Sequence, residues 1–534
     1  MKSNKRLILF FIIILILAIY ITNSITRLNI ARTGIVVNSH KWDKLLLILE
    51  QVEKNYVDTI DYQKFVEDIL PDVLGKLDPH SIYLSPEQLK ESDEPLVGNF
   101  SGIGIQFNVP NDTAVVISVI SGGPSEKVGL LSGDRIVKVD GKVVAGVKFP
   151  QDSLIKMLKG PTGTEVNVEV KRDDLKELLS FKIERGKIPI KALDVALMIN
   201  DTIGYVKISK FGKTTYSEFV DATNELKKLG LKNLILDLRD NTGGHLDQAF
   251  MISNEFLNKN DLIVYFEGKN TPREDFFADG SGKMKDIGLT ILINESSASA
   301  SEIVAGAIQD NDRGTIVGRR SYGKGLVQRP IYFSDNSGIR LTIARYYTPT
   351  GRCVQKPYNN YEFELIERFR HGEFMVADSI KTNDSLKYIT PKGKIVYGGG
   401  GIIPDIFVPM DTVGVTNFLI NVNRRSLIIK YSNLLADRYR KELRKIKTIE
   451  DLNSLYSRID VENSFLNYAK RNGVSPVGNE WEQSKFIIIQ QLKALMGRYS
   501  VLDDKAFYTY FLEIDNVIDT VKVNFGINKG INHE

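Results

Sequence analysis

The sequence predicts an α/β core between residues 190 and 411. Short apolar runs bounded by turn-forming residues indicate buried strands, and several runs are separated by stretches with apolar residues at helical spacing. Alternating strands and helices are typical of a sheet that is covered by helices. The strand-like runs are IGYVKI (203–208), LILDL (234–238), LIVYF (262–266), LTILI (289–293) and TIVG (315–318).

The composition narrows the class of protein. The chain has 534 residues, so about three domains are expected. Its net charge is only +4, and we therefore expect no nucleic-acid partner. The single cysteine, Cys353, excludes an internal disulfide. Because the sequence has no H-E-x-x-H motif and no cluster of Cys and His, we expect no metal and no organic cofactor.

Residues 1–27 have the pattern of a membrane-targeting segment. A basic stretch precedes an unbroken apolar run from Leu7 to Ile21. In length this run lies between a signal-peptide core and a full span, and no A-x-A-like cleavage site follows it, which favours an uncleaved signal anchor over a cleaved signal peptide. Since positive charge keeps the N-terminus inside, we expect a chain in the inner (cytoplasmic) membrane whose remainder faces the periplasm or the exterior.

The most informative stretch runs from 291 to 328. An apolar strand-like run is followed by a group of serines and then by SEIVAGAIQD, which has helical spacing. A serine at a helix N-terminus is well placed for nucleophilic attack, because the first-turn N–H groups and the helix dipole favour an oxyanion there. The residues alone do not select among the four serines, which are Ser296, Ser297, Ser299 and Ser301.

The proton acceptor that the sequence indicates is a lysine. A serine hydroxyl needs an adjacent group to take its proton, and none of the five histidines lies in this stretch. Lys324 does lie there, between Gly323 and Gly325. Burial would lower the pKa of this amine, because desolvation disfavours the charged form. The two glycines allow the backbone to come close and shield it.

SASASEIVAGAIQD followed by GKGLVQ resembles the signature of the C-terminal processing peptidases, also called tail-specific proteases. In that family a Ser–Lys dyad cleaves peptide bonds. The resemblance, and not the residue types alone, selects Ser299 as nucleophile, Lys324 as general base and then general acid, and Gln328 as a residue that helps to hold the amine. It also implies a peptidase core of the crotonase/Clp-protease-like type.

A Gly-Gly motif follows the predicted strand LILDL. Gly243 and Gly244 lie between this strand and a helix start, where backbone amides can point at an anion. The resemblance implies that one of them supplies an oxyanion donor and that the Ala300 N–H supplies the other; which glycine donates stays open. His245 follows directly, with aspartates nearby, so a Ser–His hydrolase that uses His245 is a rival interpretation.

Residues 99–187 resemble a PDZ domain through FSGIGIQF, VVISVISGGPSEKVGLLSGDRIVKVDG and LKGPTGTEVNVEVKR. Gly102 and Gly104 free backbone N–H groups to take a terminal carboxylate. Ile103 and Ile105 alternate along an edge strand onto which a peptide can add. By resemblance this domain recognises the apolar C-terminal tail of a protein substrate.

The tail groove needs a second wall. A helix is predicted over 151–158, and we expect Leu154 and Ile155 to close the groove from this helix. Tail binding at 102–105 is expected to switch the catalytic site on.

The flanking segments are predicted to be helical. Residues 40–98 and 415–534 carry apolar residues at helical spacing. Residues 415–534 contain no recognisable motif. Three roles stay open for them: packing against the core, formation of a homo-oligomer and binding of an adaptor.

These patterns together predict a membrane-anchored, extracytoplasmic serine endopeptidase with an inserted PDZ domain and a Ser–Lys dyad. The expected partners are the membrane and protein substrates with apolar C-terminal tails. The second rival interpretation is a PDZ scaffold on an inactive peptidase fold.

Overall fold

The computed structural model describes residues 39–172 and 175–526, so the targeting segment predicted at 1–27 lies outside the described residues. Among the helices that are described, none combines the length and the apolar character that a membrane span requires. The chain forms two compact units, residues 1–73 and 74–534. The described helices of the first unit are α1 (Ser39–Asn55) and α2 (Tyr62–Gly75), of which the last two residues belong to the second unit.

After the end of α2, the second unit continues with a turn, a strand and a helix. The sequence predicted the helix and a helix-breaking turn at 78–81, but not the strand. The Asp78 carboxylate accepts hydrogen bonds from the backbone N–H groups of His80 and Ser81, both at 2.8 Å, and so shapes the turn. Strand β1 (Ile82–Leu84) and helix α3 (Pro86–Val97) follow. Ser85 and Gln88 cap α3 reciprocally, which fixes where the helix starts.

A small β domain occupies residues 99–189. Its main sheet has the strand order β3-β4-β5-β7-β8, with β6 beside β5, and β3 lies at one edge; β2 pairs separately with β9. The alternating residues Val166, Val168 and Val170 are fully buried in its core. The elements are β2 (Asn99–Gly102), β3 (Ile105–Asn108), β4 (Ala114–Val119), α4 (Pro124–Lys127), β5 (Arg135–Val139), β6 (Lys142–Val143), α5 (Gln151–Leu158), β7 (Glu165–Lys171), β8 (Leu179–Glu184) and β9 (Gly186–Pro189).

The α/β core follows, with most of the predicted strands in a six-stranded sheet of order β10-β11-β12-β15-β16-β21. The strands from β11 onward are parallel, and β10 is antiparallel. The elements to this point are β10 (Leu193–Met198), β11 (Ile203–Ile208), α6 (Thr215–Lys228), β12 (Asn233–Asp237), α7 (Leu246–Asn254), β13 (Leu262–Gly268), β14 (Thr271–Phe277), β15 (Gly288–Ile293), α8 (Ala300–Asp310) and β16 (Thr315–Gly318).

The LIVYF run lies in a different sheet from the other predicted strands. It forms β13, which pairs antiparallel with β14 and with β18 in a sheet of order β1-β18-β13-β14, and β17 also pairs with β18. The remaining elements of the core are β17 (Leu326–Tyr332), β18 (Gly338–Tyr347), α9 (Glu364–Arg370), β19 (Lys387–Ile389), β20 (Ile395–Tyr397) and β21 (Ile406–Phe407).

The parallel sheet is buried on both faces. On β12, Leu234 and Leu236 pack with helices α6 to α8, whereas Ile235 points to the opposite face, as the period of a strand requires. Helices from the C-terminal region cover that opposite face through Tyr508, Val517 and other apolar side chains. Parallel sheets are normally covered on both faces, so these helices complete the core.

The C-terminal region is helical, as predicted, and it also contacts the β domain. Asp437 forms an ion pair with Arg135 of β5, and Asn108 Nδ2 donates to Asn433 Oδ1. The helices are α10 (Asn417–Arg424), α11 (Leu427–Arg438), α12 (Arg440–Leu443), α13 (Ile449–Tyr456), α14 (Val461–Arg471), α15 (Glu480–Gly497), α16 (Asp504–Phe511) and α17 (Asn516–Asn524).

Helix α8 is fixed at its C-terminal end by a buried ion pair. All of its residues are buried. The last one, Asp310, accepts from Arg352 Nη2 at 2.6 Å, and neither side chain is exposed to solvent. The same carboxylate accepts from the Thr350 hydroxyl at 2.6 Å. The C-terminal end of the helix that begins at Ser299 is therefore fixed by the ion pair between Asp310 and Arg352.

We predict that Asp310→Ala lowers the free energy of unfolding by about 3–5 kcal/mol, because it leaves the buried Arg352 guanidinium without its carboxylate. Urea unfolding followed by circular dichroism measures the change. The control is Glu225→Ala, which removes one partner of an exposed ion pair with Lys228 and should cost at most about 1 kcal/mol. Equal losses in the two variants would contradict the prediction.

Candidate active site

Ser299 lies at the N-terminus of α8, directly after the turn that follows β15. Its φ is +56°, an unusual value for a residue with a side chain, and backbone of this kind costs of order 1–3 kcal/mol. Two neighbouring serines have structural partners: Ser297 Oγ donates to Leu238 O at 2.8 Å and Ser301 Oγ to Asn241 O at 2.9 Å. Within the described residues, the Ser299 hydroxyl donates no hydrogen bond. Within the same residues the Ser296 hydroxyl also donates none, so hydrogen bonding excludes Ser297 and Ser301 as free hydroxyls and leaves Ser299 and Ser296.

Lys324 lies in the loop between β16 and β17, and its amine is held by the glutamine that the family resemblance selected. Lys324 Nζ donates to Gln328 Oε1 at 3.0 Å, and Gln328 Nε2 donates in turn to His80 O at 2.5 Å. Burial, with the nearby Arg340 charge, lowers the pKa of Lys324. In the described part of the chain, no hydrogen bond joins Lys324 Nζ to Ser299 Oγ.

Glu302 connects the backbones of these two residues, and the sequence interpretation missed it. Its carboxylate is fully buried. Oε2 accepts from Ser299 N at 2.9 Å and from Lys324 N at 2.8 Å. Oε1 accepts from Ser321 Oγ at 2.5 Å and from Gly323 N at 2.7 Å. The Ser-x-x-Glu spacing of a capping box is the signal that points to it in the sequence.

Tyr346 forms a second link between the same two residues. Tyr346 is fully buried near the end of β18, and its hydroxyl lies 2.7 Å from Lys324 O and 3.1 Å from Ser299 O. Glu302 therefore accepts from the two amides and Tyr346 donates to the two carbonyls. No local pattern around Tyr346 could have indicated this role, because the residue is a strand position far from both partners along the chain.

The Gly-Gly loop lies against the nucleophile turn. A Cβ at Gly243 would lie 2.8 Å from Ser299 Cβ, so this position excludes a side chain. Gly243 N donates to Asn241 Oδ1 at 2.9 Å. In the part of the chain that the structure describes, the N–H groups of Gly244 and Ala300 donate no hydrogen bond. Two amides beside Ser299 are thus available for an anion.

His245 is directed away from this arrangement. Its Nε2 lies 3.2 Å from Leu96 O, and the residue precedes the first turn of α7. The nearby Asp237 is engaged by Arg239 and by the Tyr205 hydroxyl. The structure therefore does not bring His245 into hydrogen-bond contact with Ser299.

A groove of about 310 Å³ lies between β3 and α5 of the β domain. The predicted binding residues 102–105 line it, and on the other side it is lined by Ile155 and Leu158. Leu154, expected in the groove, is instead 3% exposed and packs in the domain core. A one-residue step along a helix turns a side chain by about 100°, so neighbouring apolar residues on α5 face different surroundings.

Comparison with known protein families places three matches along the chain. Residues 202–361 match peptidase family S41, and residues 101–183 match the PDZ domain family. Residues 418–501 match a family of unknown function (DUF8443).

Relatives agree with these matches. The carboxy-terminal-processing protease of Bartonella bacilliformis is 38% identical over 312 residues, which are 58% of this chain and 71% of the relative. The carboxy-terminal processing protease CtpA of Bacillus subtilis is 34% identical over 362 residues, 66% of this chain and 76% of that protein. Among solved structures, the photosystem II D1 C-terminal processing protease is 26% identical with a TM-score of 0.37, covering 70% of this chain and 88% of that one. The chain belongs to the C-terminal processing peptidase family, and it is a serine endopeptidase with a PDZ domain.

Proposed function

We propose that the chain is anchored in the inner membrane by residues 1–27 and cleaves exported proteins outside the cytoplasm with a Ser299–Lys324 dyad. The main support for the dyad is that the same two side chains form hydrogen bonds with the backbones of Ser299 and Lys324. Glu302 and Tyr346 form hydrogen bonds with both backbones, and the Lys324 amine is partly buried, which lowers its pKa. The basic run before an apolar segment supports the anchor and its orientation.

In the proposed reaction Ser299 Oγ attacks the carbonyl carbon of the scissile peptide bond, and its proton passes to the neutral amine of Lys324. The tetrahedral intermediate then collapses: the C–N bond breaks, and Lys324 returns the proton to the leaving amine. Water then attacks the resulting ester and gives a proton to Lys324. The ester C–O bond breaks, Lys324 passes that proton to Ser299 Oγ, and the carboxylic acid product loses its remaining proton to solvent, which restores the hydroxyl and the neutral amine. Gln328 keeps the amine oriented during these transfers.

The oxyanion donors that we assign are the N–H groups of Gly244 and Ala300. Both lie beside Ser299 and have no partner among the described residues, whereas Gly243 N–H already donates to Asn241. Because Gly243 has no side chain, the loop can approach Ser299 closely at this position. Donors that are fixed before the reaction stabilise developing charge most effectively.

The PDZ groove is proposed to bind the apolar C-terminal tail of the substrate and to switch the site on. Lys159, which lines the groove, is paired with Glu94 of α3 at 2.5 Å. The adjacent Asp93 is paired at 2.7 Å with Arg340, whose charge lowers the pKa of Lys324. Two ion pairs on one helix thus connect the groove with the environment of the base.

The dyad is tested with a soluble chain from Ser39 onward and a denatured protein that has an apolar C-terminus. Ser299→Ala is expected to lower cleavage by roughly four orders of magnitude or more, and Lys324→Ala by at least about 100-fold. Binding of a fluorescent tail peptide should be unchanged in both variants, because the groove is intact.

His245→Ala serves as the control for the rival hydrolase and should keep most of the activity. A large loss in His245→Ala with little loss in Lys324→Ala would favour the Ser–His interpretation. Tail binding without any cleavage by the unmodified chain would favour a scaffold.

The pH dependence of kcat/KM is predicted to report the Lys324 amine. Only the neutral amine accepts the serine proton, so activity should rise with pH through a pKa below the ordinary lysine value of 10.5. Arg340→Gln removes a positive charge that disfavours the ammonium form, so it should raise this pKa and move the rising limb to higher pH. Arg329→Gln, an exposed position on the adjacent strand, is the control. A limb that stays in place in Arg340→Gln would disprove the assignment.

Ile155→Arg is predicted to weaken tail recognition, because it places a charge in the apolar groove. We expect kcat/KM for a tailed substrate to fall about tenfold, which corresponds to roughly 1.4 kcal/mol of lost binding. Cleavage of the same protein without the tail should not change. Val147→Arg, at an exposed position of the same domain, is the matched control. Equal effects on tailed and tail-less substrates would count against the groove.

A further inference from the structure

The C-terminal region contributes one charged side chain to the loop beside the nucleophile. Asp515 precedes α17, and its carboxylate is only 8% exposed. Arg239 binds it with two parallel hydrogen bonds, Nη1 to Oδ1 at 3.0 Å and Nη2 to Oδ2 at 2.6 Å. Bidentate pairs of this kind fix direction as well as distance.

Arg239 is held between two carboxylates in a cluster with balanced charge. Its Nη2 also donates to Asp237 Oδ2 at 2.6 Å. Lys207 Nζ lies 3.8 Å from Asp237 Oδ1 and donates to Arg239 O at 3.0 Å. Two cations thus face two anions, and Asp515 is the one member that comes from the C-terminal helices. Removing its charge leaves a buried net positive charge.

The backbone that leaves Arg239 is bonded to the nucleophile turn at each step. Asp240 N donates to Asn294 Oδ1 at 2.9 Å, and Asn294 Nδ2 donates back to Asp240 Oδ1 at 2.8 Å. Asn241 O accepts from Ala298 N at 3.0 Å. Two residues later the chain reaches Gly243, against Ser299. The position of Arg239 therefore sets the start of the loop that carries the proposed oxyanion donor.

We infer that Asp515 is a positioning residue for the catalytic loop: through Arg239 it fixes where the Gly244 amide lies relative to Ser299. The inference rests on the proposed Ser299 chemistry. It gives residues 504–526, which were left without a role by the sequence, a part in the reaction. Misplacement of a reacting group by about 1 Å lowers rates of the order of 100-fold, so a small shift of this loop is sufficient for a measurable effect.

The test compares Asp515→Asn, Asp515→Glu and Glu513→Gln in the full chain. Asparagine keeps the size and the helix cap of Asp515 but removes its charge. We expect kcat to fall about 10-fold to 100-fold in Asp515→Asn. KM and tail-peptide affinity should stay near those of the unmodified chain. The melting temperature should fall because Arg239 loses a buried partner, but the protein should remain fully folded at the assay temperature. Asp515→Glu should recover most of kcat, and Glu513→Gln, an exposed position just before the helix, should match the unmodified chain.

Unchanged kcat in Asp515→Asn overturns the inference, and so does a loss of kcat that parallels a loss of folded protein or that Asp515→Glu does not restore. If Ser299→Ala still cleaves, the proposed function itself fails. If Ser299→Ala is inactive while Asp515→Asn cleaves like the unmodified chain, only the positioning role fails.

Discussion

The buried carboxylate of Glu302 is the interaction on which the rest of the site depends. It lies within the first turn of α8 and takes hydrogen bonds from four groups, two of them the amides of Ser299 and Lys324. Burial raises the pKa of Glu302, whereas four donors facing it favour the ionised form. Hydrogen bonds to a charged group contribute about 1.5–3 kcal/mol each, so the four donors oppose the burial penalty, although burial has the larger effect on the pKa. The carboxylate is also the form that satisfies all four donors at once.

In this arrangement the backbones of Ser299 and Lys324 are more tightly constrained than their side chains. Glu302 and Tyr346 fix the main chain of Ser299 and Lys324 from two sides. The Ser299 hydroxyl and the Lys324 amine, the reacting groups of the proposed dyad, are not joined by a hydrogen bond in the described residues, since the amine is bonded to Gln328 instead. Bringing the amine to the hydroxyl therefore requires a change of side-chain rotamers within a fixed frame. Catalytic hydrogen bonds commonly tighten only when substrate is bound.

Sequence patterns could predict those parts of the molecule that depend on the spacing of residues close together along the chain. Strand runs and the bounds of α5 follow from residues within a few positions of each other. The lysine–glutamine contact was predicted by the family resemblance instead. Pairings across long stretches of chain leave no such pattern: Tyr346 reaches Ser299, and Asp515 reaches Arg239, only after the sheets have formed. Local spacing also has a limit, which Leu154 illustrates. Either of two adjacent apolar residues on a short helix fits the pattern of a groove-lining residue, so the pattern does not show which of them faces the groove.

The C-terminal helices illustrate why such distant residues enter the site. Ile235, Leu292 and Val317 lie on the face of the parallel sheet that α16 and α17 cover, and each is at most 1% exposed. Burying three such side chains is worth roughly 5–9 kcal/mol, similar to the whole stability of a domain, about 5–15 kcal/mol. The C-terminal helices therefore contribute a large share of the stability of the sheet. Once apolar packing has placed α17 across the sheet, the residue that precedes it, Asp515, meets Arg239 just after the end of β12, where the proposed catalytic loop begins. A charge at that point then acts on the loop because the hydrophobic core has already set its position.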